Sequence, residues 1–270
     1  MSDLRDYICA KGTSWYSHYE VRPAKLFDGA EQRLTIFFIR NTEVKSMYST
    51  AIQRWNNEYR NTLFNLLSYA PAFNYGSIWR TSSSIETSLY TKFNSHNPSA
   101  YQLKKSGATL HYRTAGVRYW IIFLNNGFGT ESLSNKVAFF ENEKVAHFYM
   151  AAFNSNLFWW YYALNYDMFN LKDYMIFNFK LNYSPNTTIE SIAAILEADM
   201  ENNKVHQEIN SKTRGHVTTS YYQKKQSKPI IDTIDKELAN IYGFTDEELD
   251  FIINYDIKYR MGDELNNSDE

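Results

Sequence analysis

The sequence predicts an α+β fold: mixed helices, a small and mostly antiparallel sheet, and a C-terminal helical hairpin. Three observations carry this. Strand-like runs separated by turn residues recur at 12–20, 32–40, 108–113, 117–124 and 134–140. Apolar residues at helical spacing mark 52–68, 141–154 and 188–209. Between residues 229 and 257, a proline, a glycine and a capping box punctuate two further helices.

The chain has 270 residues, enough for a substantial core, and its 21% charged and 44% hydrophobic residues are those of a folded globular protein. Aromatics are abundant, with 22 Tyr, 18 Phe and 6 Trp. Tyrosine suits wet interfaces and base stacking as well as cores. One cysteine, Cys9, excludes an internal disulfide and a cysteine-built zinc cluster. No run reaches the roughly 18 apolar residues of a membrane span, and MSDLRDYICAKG lacks the apolar core of a secretory signal. A cytoplasmic location and no membrane partner are therefore expected. The net charge of −2 is unevenly spread: residues 229–270 hold 12 acidic and 3 basic residues, leaving a body of net +7. A basic body fits a polyanion partner or simply a solvated surface.

Taken in order, GTSWYSHYE (12–20) reads as a first strand. Arg22-Pro23 interrupts it, since proline lacks a donor and pushes its predecessor toward extended backbone. Asp28-Gly29 is a turn signal. Leu34–Ile39 is an apolar, β-branched and aromatic run that would pair antiparallel with the first strand. Trp55, Tyr59, Leu63, Leu66 and Leu67 suggest an amphipathic helix over 52–68. Ser82–Asn94 is a second helix, capped by Ser83 or Ser84. Strands follow at Ala108–Arg113, Val117–Leu124 and Ser134–Phe140, with turns at Thr114–Gly116 and Asn125–Gly127. Glu141–Asn154 is helical, and the aromatic run Leu157–Tyr162 reads as core. Thr188–Ile209 reads as one long helix. In Ser211–Gln226 basic and aromatic residues interleave, as a nucleic-acid surface requires or a solvated linker permits. Pro229 opens a helix that Gly243 stops, and Thr245–Glu248 caps the next.

Motifs of autonomous chemistry do not appear. There is no GxGxxG, no phosphate-binding GxxxxGK[ST], no HExxH and no GxSxG. Glu141, Glu143 and Lys144 come nearest to a nuclease cluster, and acidic residues at a helix start explain them.

Three stretches, RPAKLFDGAEQRLTIFFI, AHFYMAAFNSNLFWWYYALNYDMFNLKDYMIF and KPIIDTIDKELANIYGFTDEELDFIINYDIKYRMG, resemble the C-terminal part of bacterial adenine-specific DNA methyltransferases of restriction–modification systems. The resemblance implies three parts. Residues 1–44 are a remnant of the catalytic domain's last hairpin, 45–226 a target recognition domain, and 227–270 a closing helical hairpin and tail. It also implies that no complete methyltransferase sheet forms. Neither the Phe-x-Gly-x-Gly loop that holds S-adenosylmethionine nor the Asn-Pro-Pro-Tyr motif that grips the target amine is present. The chain is therefore not expected to be catalytic alone or to bind a cofactor itself. S-adenosylmethionine is expected on a partner polypeptide carrying the catalytic half, with this chain as a split subunit, fragment or truncated product.

By the same resemblance, Phe27 would stack on the flipped adenine, because an enzyme acting on a base inside a duplex must extrude it. Arg22, Lys25 and Arg33 would meet phosphates of double-stranded DNA. Arg113, Arg118, Asn125, Asn126, Lys212, Arg214, Lys224 and Lys225 are candidate contacts of the recognition domain, chosen for polarity. The rival readings are a regulatory remnant without DNA binding and, behind it, an independent nuclease.

Overall fold

The computed structural model describes residues 2–72, 77–115, 119–211 and 215–262. The fold is α+β, and the chain divides into two compact units, Met1–Thr91 with Ala163–Asp167, and Lys92–Tyr162 with Met168–Glu270.

The first unit opens with α1 (Ser2–Ala10), followed by β1 (Gly12–Tyr19), β2 (Leu34–Asn41), β3 (Met47–Gln53) and the two-residue β4 (Ala70–Pro71). They form one sheet in the order β2-β1-β3-β4. β1 and β2 pair antiparallel from Gly12↔Asn41 to Tyr19↔Leu34, as their patterns predict. β3 joins β1 in parallel, so the sheet continues past residue 44. Tyr19, Ala24, Leu26, Trp55 and Leu63 make a small core, with Leu34, Ile36 and Leu67 against it. β2 occupies the edge and is poorly covered on both faces. Phe37, Phe38 and Ile39 are 49%, 64% and 40% exposed. A near-continuous apolar run is the pattern of a strand buried on both faces, so β2 lies bare where its composition asks for cover.

The amphipathic helix expected over 52–68 is corrected. Ile52 and Gln53 belong to β3, and residues 57–66 form a 3-10 helix. At three residues per turn, residues at α-helical spacing no longer share one face, so Leu63 is buried while Tyr59 and Leu66 are exposed, and Trp55 is buried ahead of the helix. α2 (Ser84–Asn94) starts where predicted, and Ser83 Oγ accepts from Glu86 N at 3.2 Å.

In the second unit β5 (Ala108–Arg113), β6 (Phe123–Leu124) and β7 (Asn135–Phe140) form an antiparallel sheet ordered β6-β5-β7. Of the strand expected over 117–124, only Phe123 and Leu124 pair among the described residues. Asn154 instead takes the Phe123 backbone at both ends, accepting from N at 3.2 Å and donating to O at 2.8 Å. α3 (Glu143–Asn154) is capped by Asn142. α4 (Asn156–Asn165) carries Leu157–Tyr162 into the core, where Phe93, Trp160, Tyr161 and Phe179 pack ring against ring. α5 (Asp173–Phe177) leads to α6 (Thr187–Asn202), capped by Asn186 accepting from Ile189 N at 3.0 Å. The helix expected to reach Ile209 ends at Asn202. Lys204–Ser211 (β8) turns into strand because it finds eight partners in Gly215–Tyr222 (β9).

α7 (Lys228–Tyr242) begins with Pro229 and ends at Gly243, whose φ of 65° is the left-handed cap only glycine adopts freely. α8 (Asp246–Asn254) carries the reciprocal capping box: Thr245 Oγ1 accepts from Glu248 N at 3.3 Å and Glu248 Oε2 from Thr245 N at 2.8 Å. α9 (Ile257–Met261) brings Arg260 inside, where its guanidinium lies 4.1 Å from the Trp120 ring and donates to Asn156 Oδ1. The buried Asp235 carboxylate on α7 caps α4, accepting from Asn156 N and Leu157 N, both at 3.0 Å.

Candidate nucleic-acid interface

Two groups of the sequence-predicted residues assemble, one in each unit. The first is the loop between β1 and β2. Its base is closed by Arg33 Nε donating to Glu20 Oε2 at 2.8 Å. Ala24 and Leu26 turn inward onto Tyr19, Trp55 and Leu63. Arg60, from the 3-10 helix, donates to the carbonyls of Lys25 at 2.9 Å and Leu26 at 2.7 Å. The chain is therefore held on its inner side immediately before Phe27. A turn follows, with Ala30 N donating to Phe27 O at 3.2 Å. Phe27 itself is 58% exposed. Lys25 pairs with Glu31, and this hydrogen bond and charge hold the Glu31 carboxyl below the usual carboxylate range. Arg22 is exposed beside them. A ring fixed from behind and bare in front is suited to stacking on a planar base, while of the cations around it Lys25 and Arg33 are paired with carboxylates and Arg22 is exposed.

The second group surrounds the turn after β6. Thr109 Oγ1 donates to Asn125 O at 2.9 Å, and Asn125 Nδ2 donates back to Thr109 O at 2.8 Å. Asn125 is thus a strut of the turn. On the other side Glu197 Oε1 accepts from Asn126 N at 2.8 Å. Glu197 is buried on α6, and burial raises its carboxyl pKa. Gly127 has φ 83°, and a Cβ there would meet the His111 ring at 3.5 Å. Asn126 is exposed, and its carboxamide makes no hydrogen bond to the described residues. Beyond the turn, the Arg113 guanidinium stands 4.5 Å from the Phe128 centroid, and the Tyr222 ring meets Phe128 edge-on at 6.1 Å. Lys204 Nζ lies 4.8 Å from the Tyr222 centroid, and Tyr222 Oη donates to Glu201. Arg113 also donates to Asn135 Oδ1 at 3.2 Å and Thr130 Oγ1 at 3.1 Å.

The remaining candidates fall differently. Lys224 is 3% exposed and donates to Ile121 O, and burial drives its pKa well down. It is therefore corrected from a surface cation to a buried one, since a lysine whose amine is desolvated inside the protein does not meet phosphate. Lys225 is half-buried. Arg118, Lys212 and Arg214 lie outside the described residues.

The sequence reading missed Arg60, Glu197 and Phe128. Glu197 left a signal: it falls on the same helical face as Ile189, Ile192, Ala193, Leu196 and Met200. An acidic side chain at a core-facing position demands a partner.

Among the described residues no three His, Cys, Asp or Glu side chains come together as metal ligands, and no helix is long and apolar enough to cross a membrane. Comparison with protein-family models, with curated proteins and with solved structures finds no match to this chain.

Proposed function

We propose that this chain is the DNA recognition subunit of an adenine-specific DNA methyltransferase of the restriction–modification kind. In this reading it grips double-stranded DNA and a partner polypeptide supplies S-adenosylmethionine and methyl transfer. One observation carries the reading: Phe27 stands bare at the tip of a loop whose inner side is fixed by Arg60, Ala24 and Leu26. An exposed aromatic ring on a tethered loop is available for stacking, and a flipped adenine between flat faces is such a partner. The bare β2 supports the second half of the reading. Its continuous apolar run and exposed edge suit a partner that extends the sheet.

The test is duplex binding as a function of salt. A DNA-gripping chain releases counterions, so its affinity should fall steeply as salt rises, with a log–log slope set by the phosphates contacted. Binding that is absent, or flat across salt, removes the function.

A further inference from the structure

Two adjacent asparagines in the second unit have opposite structural roles, and the difference is set from outside their own turn. Asn125 spends its amide on Thr109 O. Asn126 leaves its carboxamide exposed, while its backbone N–H is held by the buried carboxylate of Glu197 at 2.8 Å. Backbone fixed, side chain free and a glycine in the left-handed region next door describe a presented group. A floppy loop has none of these features.

We infer that Asn126 is a specificity-determining residue that reads an adenine edge, and that Glu197 is the residue that positions it; this rests on the chain being a DNA recognition module. The chemistry follows from the carboxamide. It offers one donor and one acceptor side by side, the complement of adenine N7 and N6–H₂ in the major groove. Such a pair discriminates only if the amide arrives at a fixed height and angle, because a reader that swings loses most of its advantage to ordering entropy. Glu197 provides the fixing. Its buried carboxylate holds the Asn126 N–H at 2.8 Å, while the Thr109–Asn125 pair fixes the other arm of the turn. The chain of contacts Arg113–Phe128–Tyr222–Lys204 then continues from the turn to the β8–β9 hairpin.

The experiment is selection from a randomised duplex pool with the full chain, alongside amide hydrogen exchange of the free protein. Wild type should enrich a sequence containing adenine, and Asn126→Ala should lose about tenfold in preference at one adenine position while binding unselected duplex as before. Glu197→Asp keeps the charge but is one methylene too short to reach Asn126 N. It should lose the same preference and speed exchange at 125–127. Glu197→Gln still presents an accepting oxygen and should restore both. Undiminished preference in Asn126→Ala overturns the reader. Wild-type preference and exchange in Glu197→Asp overturn the positioning role. A wild-type chain that enriches nothing overturns the DNA-recognition function itself, which is a different failure.

Discussion

Arg60 grips the chain at Leu26, donating from Nη2 to the Leu26 carbonyl at 2.7 Å and from Nη1 to that of Lys25 at 2.9 Å. The contact adds a polar tie between two segments that also meet through Leu63 and Leu26, a 3-10 helix and the loop that carries Phe27. Arg60→Ala should therefore cost about 2 kcal/mol, since bonds to a charged donor each contribute on that order. Equilibrium urea denaturation reads it. A variant as stable as wild type would show that the loop holds itself.

Phe27→Ala should behave in the opposite way. The ring is more than half exposed, so stability should change by less than about 0.5 kcal/mol. Binding to duplex carrying an unpaired adenine should weaken by about 1–3 kcal/mol, the value of one base–aromatic stack. Titration against a fluorescently labelled duplex measures it, and equal affinity for the two proteins would remove Phe27 from the site.

His18 gives the first unit a dependence on pH. It is buried in β1, with Nδ1 2.9 Å from Thr35 Oγ1 and Nε2 3.0 Å from Ser49 Oγ. Burial, with the positive charge of Arg80 behind it, lowers its pKa to about 3. The unfolded chain takes up a proton near the ordinary value of about 6.5, while the folded one resists until far lower pH. Stability is thus full above that ordinary value and declines as pH falls toward the folded value. From about pH 7 to about pH 5 the loss should be about 2 kcal/mol. Hydrogen exchange of β1 and β2 amides, corrected for intrinsic rates, should show it, and His18→Gln should flatten it. Protection that stays constant between those two pH values would contradict the assignment.

Asp235 is the keystone of the second unit's polar interior. Its carboxylate caps α4 through two backbone amides and also accepts from Asn156 Nδ2 at 2.7 Å. Asn156 in turn accepts from the buried Arg260. Asp235→Ala leaves the Asn156 and Leu157 backbone amides without their acceptor and removes one of the carboxylates near Arg260, so it should destabilise by about 3 kcal/mol. Asp235→Asn retains an acceptor and should lose less. Denaturant midpoints of the two variants decide the matter: equal midpoints for Ala and Asn would mean that the cap contributes nothing.

How much of this was legible in the sequence depended on how local the cause was. The Thr245–Glu248 box and the Gly243 stop are written in a few neighbouring residues, and each forms as read. So is the β1–β2 pairing, set by two short runs and the loop between them. The chain also bends at Asn125 and Asn126, but the strands on either side pair with β5 and not with each other. The parallel addition of β3 to β1 was not legible, because no local pattern says which strand a third will join. The end of α6 at Asn202 failed for a related reason: the 204–211 segment is strand only because 215–222 exists to pair with it. The site followed the same rule. Phe27 could be placed on a loop from its neighbours, whereas the burial of Lys224 under Ile121 is a tertiary fact that basic character disguised. Arg60 and Glu197 act at long range, on chain 34 and 71 residues away, and polarity alone cannot disclose that.

The bare β2 edge also governs how the chain can be handled. Phe37, Phe38 and Ile39 lie on a strand with an unpaired flank, the geometry on which other strands nucleate. Purified alone, the protein should self-associate as its concentration rises, and Phe38→Glu should suppress this in sedimentation velocity. A concentration-independent monomer for wild type would show that the edge is protected.

In a cell the same edge would act as a quality-control mark. An uncovered apolar strand is what chaperones retain and proteases clear, so if a partner caps β2, the steady-state amount of this chain would follow that partner's supply. Surplus copies would then be short-lived, their number held down after synthesis by the exposed Phe37, Phe38 and Ile39.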